Sequence, residues 1–474
     1  MAIKCAKNHY FQLTLVRIIY IIIVNVHIFF EKRRMPMKQL KGIRLPHWKK
    51  TARSAPEVLP FPNVAYYPMH QNIGAPATVC VKVGDPVYVG TLIGEAGGYV
   101  SSPVYSGVSG KVKKIDETLM SGGVFSPTVI IEADGLTPDP SIVPPEVHDR
   151  ESFIAAVRKS GVVGLGGAGF PTAVKLNVDP AKVEHVIING AECEPYITSD
   201  TRTMLDRADE IAEGIDLLAK YLGVKSFIIG VEKNKPDCVK KMRDIAKTRP
   251  SVKVSALPSV YPQGGEKVLI FNTTGKVVGE GMLPIDVGVI VINCTTVAEI
   301  AKFIRTGMPL VSKCVTVDGS AVKEPKNLIL PIGTPATDAF EACGGFSCEP
   351  AKIVYGGPMM GVSVADTGAP VLKQTNALLA FSEKDARIPE LTNCIRCGRC
   401  TNTCPFGLAP VAIVTAYEKE DMEALSALKP NLCMECGCCS YVCPTKRNIV
   451  QKNKLAKTML RNYQIKNAQK GGKN

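Results

Sequence analysis

A chain of 474 residues with 46% hydrophobic residues can form three or four domains with cores of their own, which excludes a disordered polymer and a small disulfide-stapled scaffold. Its formal charge of +14 favours acidic partners such as a small acidic redox protein, anionic lipid or nucleic acid, and charge alone does not choose between them. Nine of its 17 cysteines fall between Cys394 and Cys443, and the rest lack framework spacing, which points to metal in a reducing compartment and not to disulfides.

Along the chain, Phe11 to Phe30 (FQLTLVRIIYIIIVNVHIFF) has the length of a membrane span, interrupted by Arg17, Asn25 and His27, and the EKRR after it would keep the remainder cytoplasmic. The same letters are what A/T-rich untranslated DNA encodes, and Glu31 to Arg34 can be spelled by a purine-rich ribosome-binding site. On that reading residues 1–36 are a non-native extension and Met37 is the start. Residues 37–140 carry short Val-, Gly- and Pro-rich runs that predict small strands and tight turns. VKVGDPVYVGTLIGE, Val81 to Glu95, and SSPVYSGVSGKVKKI, Ser101 to Ile115, resemble the two halves of a biotinyl or lipoyl carrier, a barrel-sandwich fold. Ala96 to Val100 between them holds no lysine for a cofactor, so a structural role is expected.

From 149 to 310 helical and strand patterns alternate, which predicts a Rossmann-like α/β layer with a largely parallel sheet and ligands at loops beyond the strand ends. Within it, Gly164, Gly166 and Gly169 have GxGxxG spacing. An ordinary dinucleotide fingerprint needs a strand before the loop and a helix directly after it. Here the preceding segment reads as helix, and Phe170-Pro171 interrupts the exit. The glycines still provide backbone that a flat ring or a phosphate can approach closely. Residues 311–365 read as strands followed by a short helix and resemble the soluble-ligand-binding β-grasp module.

Residues 385–450 contain two copies of Cys-x-x-Cys-x-x-Cys-x-x-x-Cys-Pro, separated by a segment read as helix. Three thiolates on one tight loop can cap three corners of a cubane, and in two-cluster ferredoxins the fourth cysteine serves the other cluster. This assigns Cys394, Cys397, Cys400 and Cys443 to one [4Fe-4S] centre, and Cys433, Cys436, Cys439 and Cys404 to the other. Structural zinc usually takes paired Cys-x-x-Cys ligands, and the complete twelve-residue copies favour clusters. Cys438 is off the register and reads as a spare small residue. The segment 451–474 is basic with no acidic residue and is expected to be a solvated, frayed tail; it is not read as a nucleic-acid site.

GLGGAGFPT, Gly164 to Thr172, followed by NGAECEPYITSD, Asn189 to Asp200, is similar to the flavin and NADH site of the flavin-carrying subunit of respiratory complex I. With the sandwich ahead, the β-grasp behind and the helical two-cluster ferredoxin domain at the end, the chain resembles the RnfC subunit of the Rnf complexes, ion-translocating electron-transport assemblies. The resemblance implies two [4Fe-4S] clusters, FMN and NAD(H). It places Gly164, Gly166, Gly167 and Gly169 against FMN, with Asn189 and Glu192 holding its ring. Phe170 would stack on the nicotinamide nucleotide, Lys175, Glu194 and Asp200 would meet polar groups, and Asn293 and Thr296 of NCTT would contact the flavin. Lys267 stands where the complex I pattern has a second glutamate. No side-chain acid or base is implied as catalytic.

The implied activity is hydride exchange between NAD(H) and FMN, with single electrons passing to ferredoxin-linked subunits. Implied partners are membrane-embedded and ferredoxin-like Rnf subunits, with ferredoxin reached indirectly, at the cytoplasmic side of the cell membrane. A cobalamin reductase built from the same modules and a non-enzymatic iron-sulfur relay are the alternative readings.

Overall fold

The computed structural model describes residues 40–120, 123–364 and 366–471. The apolar run Phe11 to Phe30 lies outside them. Among the described residues no helix is long and apolar enough to cross a membrane.

The barrel-sandwich layer is two antiparallel sheets, one ordered Val64–Pro68, Phe125–Gly135, Ser109–Leu119, Pro86–Val87, the other Thr78–Val79, Leu92–Glu95, Val104–Tyr105. Alternation along these strands sends Ala65, Tyr67, Val112, Val129 and Ile131 inward to meet Ile93 and Val104. The buried Tyr67 hydroxyl accepts from the Gly107 amide and so has the partner that burial requires.

The α/β layer has four parallel strands in the order Val252–Leu257, Phe227–Glu232, His185–Gly190, Val289–Asn293. Helices flank the sheet, so strands such as HVIING and VIVIN are apolar almost throughout instead of alternating. Helix Arg150–Lys159 starts at a capping box between Asp149 and Ser152. Helix Ala208–Leu222 lays Ile211, Ile215, Leu218 and Leu222 on the core and ends at left-handed Gly223. The chain builds outward from His185–Gly190 on one side, then returns to place Val289–Asn293 on the other. The strand order therefore reverses between these two neighbours, and a crevice at such a switch point is where open α/β sheets bind ligands. Asn189 and Asn293 sit opposite each other in register at its mouth.

The β-grasp sheet has six strands and extends past residue 365, with Ala377–Phe381 buried in its middle and Glu57–Val58 on its edge. In the cysteine region the segment between the runs is two helices, Pro410–Glu418 and Met422–Leu428, broken at Glu420, which has a positive φ, and restarted by the Asp421 cap. The described part of the basic tail is exposed from Arg461 to Gln469, as expected of a solvated segment, but it is helical and not frayed. Residues Ile449–Gly471 form one helix, with Asn453, Ala456 and Leu460 buried on a single face against the neighbouring helices.

Candidate functional site

The two cysteine runs fold as near copies. In each, the residue before the second cysteine has a positive φ (Arg396, Glu435), as does the glycine after it (Gly398, Gly437). The amides of Arg396 and Glu435 donate to the Sγ atoms of Cys394 and Cys433, both at 3.4 Å. A short helix then carries the third cysteine, Arg399–Thr403 in one run and Cys438–Tyr441, holding Cys439, in the other.

Cys443 and Cys400 are buried beside Val414 and Ile449, with Cys439 of the second run in the same apolar cluster, while Cys404 and Cys433 border the neighbouring one. Burial first, then the charge of neighbouring thiols, pushes Cys433 up to about 11 and Cys439 up to about 12. Thiols so placed ionise together only around shared positive charge, which iron supplies, so the donor set suits the clusters. Among the described residues no three Cys, His, Asp or Glu gather closely enough for one single metal ion. Cys438 packs beside Cys436 and Tyr261, its Sγ 4.0 Å from the Tyr261 carbonyl.

The glycine loop hangs over the switch-point crevice, with Gly166, Gly167 and Ala168 exposed. Its shape is set from below by Thr296, whose hydroxyl accepts from the Leu165 amide and donates to the Val163 carbonyl, both at 3.0 Å. Asn293 caps helix Cys294–Thr306 through its Oδ1, and its Nδ2 donates to Asp200 at 2.7 Å. Asp200 also accepts from the Thr295 hydroxyl. Asn189 ties its own loop to the next one, donating to the Gly264 carbonyl and accepting from the Ala191 amide. These polar side chains shape the crevice; the surface left open is glycine backbone, half-buried Phe170 and half-exposed Lys175. A Cβ on Gly166 would come within 3.0 Å of the Asn293 amide nitrogen and narrow the gap, so the cradle suits a flat ring such as that of FMN.

Glu192, buried, caps helix Ser199–Asp206 by accepting from the amides of Asp200 and Thr201. Burial raises its pKa and that of Asp200. Lys49, from the segment ahead of the sandwich, approaches Glu192 at 3.9 Å and donates to the Glu194 carbonyl; burial pushes it down to about 8.

Glu194 faces another way. Its carboxylate accepts from the amides of Met359 and Met360 in the β-grasp module and from the Tyr261 hydroxyl, and burial pushes it up to about 7. Tyr261 is also 2.8 Å from the Cys436 carbonyl, which joins the nucleotide side to the Cys433 loop. Met434 of that loop packs so tightly on Gly265 that a Cβ there would meet its Cε at 2.3 Å.

Sequence reasoning missed Lys49, Tyr261 and Glu266. Glu266 accepts from Lys175 at 2.8 Å, whereas Lys267 turns to the Gly279 carbonyl. It also missed buried Lys373, which ties Ser102 and Pro103 of the sandwich to the Gly161 carbonyl at the root of the loop. Glu266 was within reach, since it stands beside Lys267 in the sequence; nothing local marks the others.

Residues 37–136 match the RnfC barrel sandwich hybrid domain, 157–302 the Nuo51 FMN-binding domain, 314–363 the SLBB domain and 393–447 the 4Fe-4S dicluster domain. The chain is 42% identical to the C-subunit of the Na(+)-translocating ferredoxin:NAD(+) oxidoreductase complex of Acetobacterium woodii, covering 80% of this chain and 87% of that one. It is 39% identical to the proton-translocating counterpart of Clostridium ljungdahlii over 78% and 82% of the two chains. It is 38% identical to the C-subunit of the ion-translocating oxidoreductase complex of Rhodobacter capsulatus over 80% and 74%.

Proposed function

The chain belongs to the RnfC family, one of the subunits of the ion-translocating ferredoxin:NAD(+) oxidoreductases or Rnf complexes, and on that premise we propose how its residues divide the work. FMN, when bound, converts between a hydride and two single electrons, which the two [4Fe-4S] clusters carry one at a time. The exposed backbone of Gly166 and Gly167 accepts the ring face, and the Thr296 hydroxyl and the Asn293-Asp200 pair hold that backbone at a fixed height over the sheet. Phe170 and Lys175, with Glu266 orienting the ammonium, meet the nicotinamide nucleotide. Asn189, Glu192 and Asp200 keep the loops beneath it in register. Catalysis by these residues is positioning, and none of them serves as acid or base.

Cys404, Cys433, Cys436 and Cys439 hold the cluster nearer the flavin, and Cys394, Cys397, Cys400 and Cys443 hold the farther one. The observation that carries this order is Tyr261, whose hydroxyl meets Glu194 at 3.2 Å and the Cys436 carbonyl at 2.8 Å. The protein sits peripherally at the cytoplasmic side of the membrane against embedded partner subunits, and reaches ferredoxin through them.

An anaerobic NADH titration of the flavin- and iron-loaded protein tests the reading, followed by absorbance and electron paramagnetic resonance. The expected result is reduction of flavin and of both clusters. Iron without any flavin or NADH response would leave a relay and overturn the converter.

A further inference from the structure

The sandwich module reaches the glycine loop through two of its own loops. The Ile73 amide donates at 2.9 Å to the carbonyl of Gly169, the residue before Phe170. The Asn72 side chain donates to the carbonyls of Ile73 and Ala75, and the Ala75 amide donates to the Val100 carbonyl, which seats the 96–100 hairpin beside that contact. A carrier domain presents its cofactor lysine in this hairpin; here the hairpin presents Tyr99. Its hydroxyl accepts at 3.3 Å from Asn177, the residue after helix Thr172–Leu176 that carries Lys175. Arg150 donates to the Oδ1 of the same asparagine at 3.4 Å. From helix Arg150–Lys159 the Arg158 guanidinium lies 5.4 Å from the centre of the Tyr99 ring and donates to the Tyr99 carbonyl at 3.1 Å.

The hairpin thus bridges Gly169 and Asn177, which bracket the segment bearing Phe170 and Lys175. One face of the Tyr99 ring is covered by the guanidinium, yet the residue is 60% exposed, so the opposite face is open. A ring backed by a cation and pinned at its hydroxyl is already ordered, and a heterocyclic base can stack on it with little loss of side-chain freedom. A nicotinamide dinucleotide carries such a base, adenine, at the far end of two phosphates, and Arg158 and Lys175 put two positive charges along this flank. We propose that Tyr99 stacks on the adenine, so that the sandwich module supplies the contact that separates the dinucleotide from its mononucleotide. Arg158 and Asn177 are positioning residues for the ring. The inference rests on the reading in which Phe170 and Lys175 meet the nicotinamide nucleotide.

Its test compares reduction of the flavin by NADH and by reduced nicotinamide mononucleotide, which lacks the adenosine half. Second-order rate constants are taken from stopped-flow absorbance of the flavin- and iron-loaded full chain. Tyr99→Ala is expected to lower the ratio of the NADH constant to the mononucleotide constant by about tenfold, and Tyr99→Phe, which keeps the ring, to hold it within about threefold. A hairpin that only shaped the glycine loop would lower both constants together and leave the ratio as it was. Flavin content is measured on every sample, and if Tyr99→Ala loses flavin, Tyr99→Leu takes its place with the same expected fall. An unchanged ratio without the ring, or an equal fall in Tyr99→Phe, overturns the adenine contact while reduction by NADH persists. No flavin reduction by NADH in the unmodified chain overturns the functional reading beneath it.

Discussion

Thr296 joins its helix to the glycine loop with a single hydroxyl, and it is itself buried. Thr296→Val keeps the shape and leaves the Leu165 amide and Val163 carbonyl without partners, at a cost on the order of 1–3 kcal/mol. Flavin affinity, measured by fluorescence during reconstitution of the flavin-free protein, should fall by about tenfold; unchanged affinity would mean that the loop keeps its height without this bond. The NCTT motif made Asn293 and Thr296 legible as site residues. What it could not convey is that their polar atoms are engaged with Asp200 and the loop backbone, because those partners lie about a hundred residues away. Lys49 was illegible for the same reason. A lone lysine ahead of a β domain carries no local sign that its ammonium ends beside Glu192.

Most elements could be read from periodicity, and the failures have physical causes. The alternating strands and helices of the α/β layer, and the helix ahead of the glycine loop, follow from apolar spacing that packing then uses. In the final helix the apolar positions Ile449, Ala456 and Leu460 keep helical spacing but are outnumbered by lysines, so the charge run hid a docked face. Leu460, 1% exposed, packs with Ile413 and Leu425, and Leu460→Ala should cost about 2–5 kcal/mol within this region. The expected outcome is faster loss of cluster absorbance on warming, with flavin retained. A variant that keeps the wild-type rate would show that this helix merely rests on the fold. The break at Glu420 was missed because its neighbours, Lys419 and Asp421, are as compatible with a helix surface as with a turn.

At the scale of the molecule, the order of four modules was readable, and the way they meet was not. Tyr261 against Cys436, Met434 against Gly265 and Lys373 against Gly161 each join distant segments, and no local period encodes such meetings. The proposed exchange of the fourth cysteines between the runs has a consequence that separates it from two independent loops. Cys397→Ser and Cys443→Ser should abolish the same cluster signal in electron paramagnetic resonance, and Cys404→Ser and Cys436→Ser the other, with flavin kept in all four. If Cys404→Ser instead silences the signal lost in Cys397→Ser, each run holds its own cluster.

The stretch from Lys41 to Arg53 lies on parts of the chain made much later: Ile43 pairs with Tyr261, and the Gly42 carbonyl accepts from Thr403, 361 residues onward. At roughly 5–20 residues per second, ribosomal synthesis leaves the Gly42 contact waiting about 20–70 seconds for its counterpart. The seam between nucleotide layer and cysteine loops, with Ile43 and Leu45 packed beside Cys436, therefore cannot close until the cysteine loops have been made. Until it closes, the side of Cys436 that Ile43 and Leu45 later cover stays open to solvent.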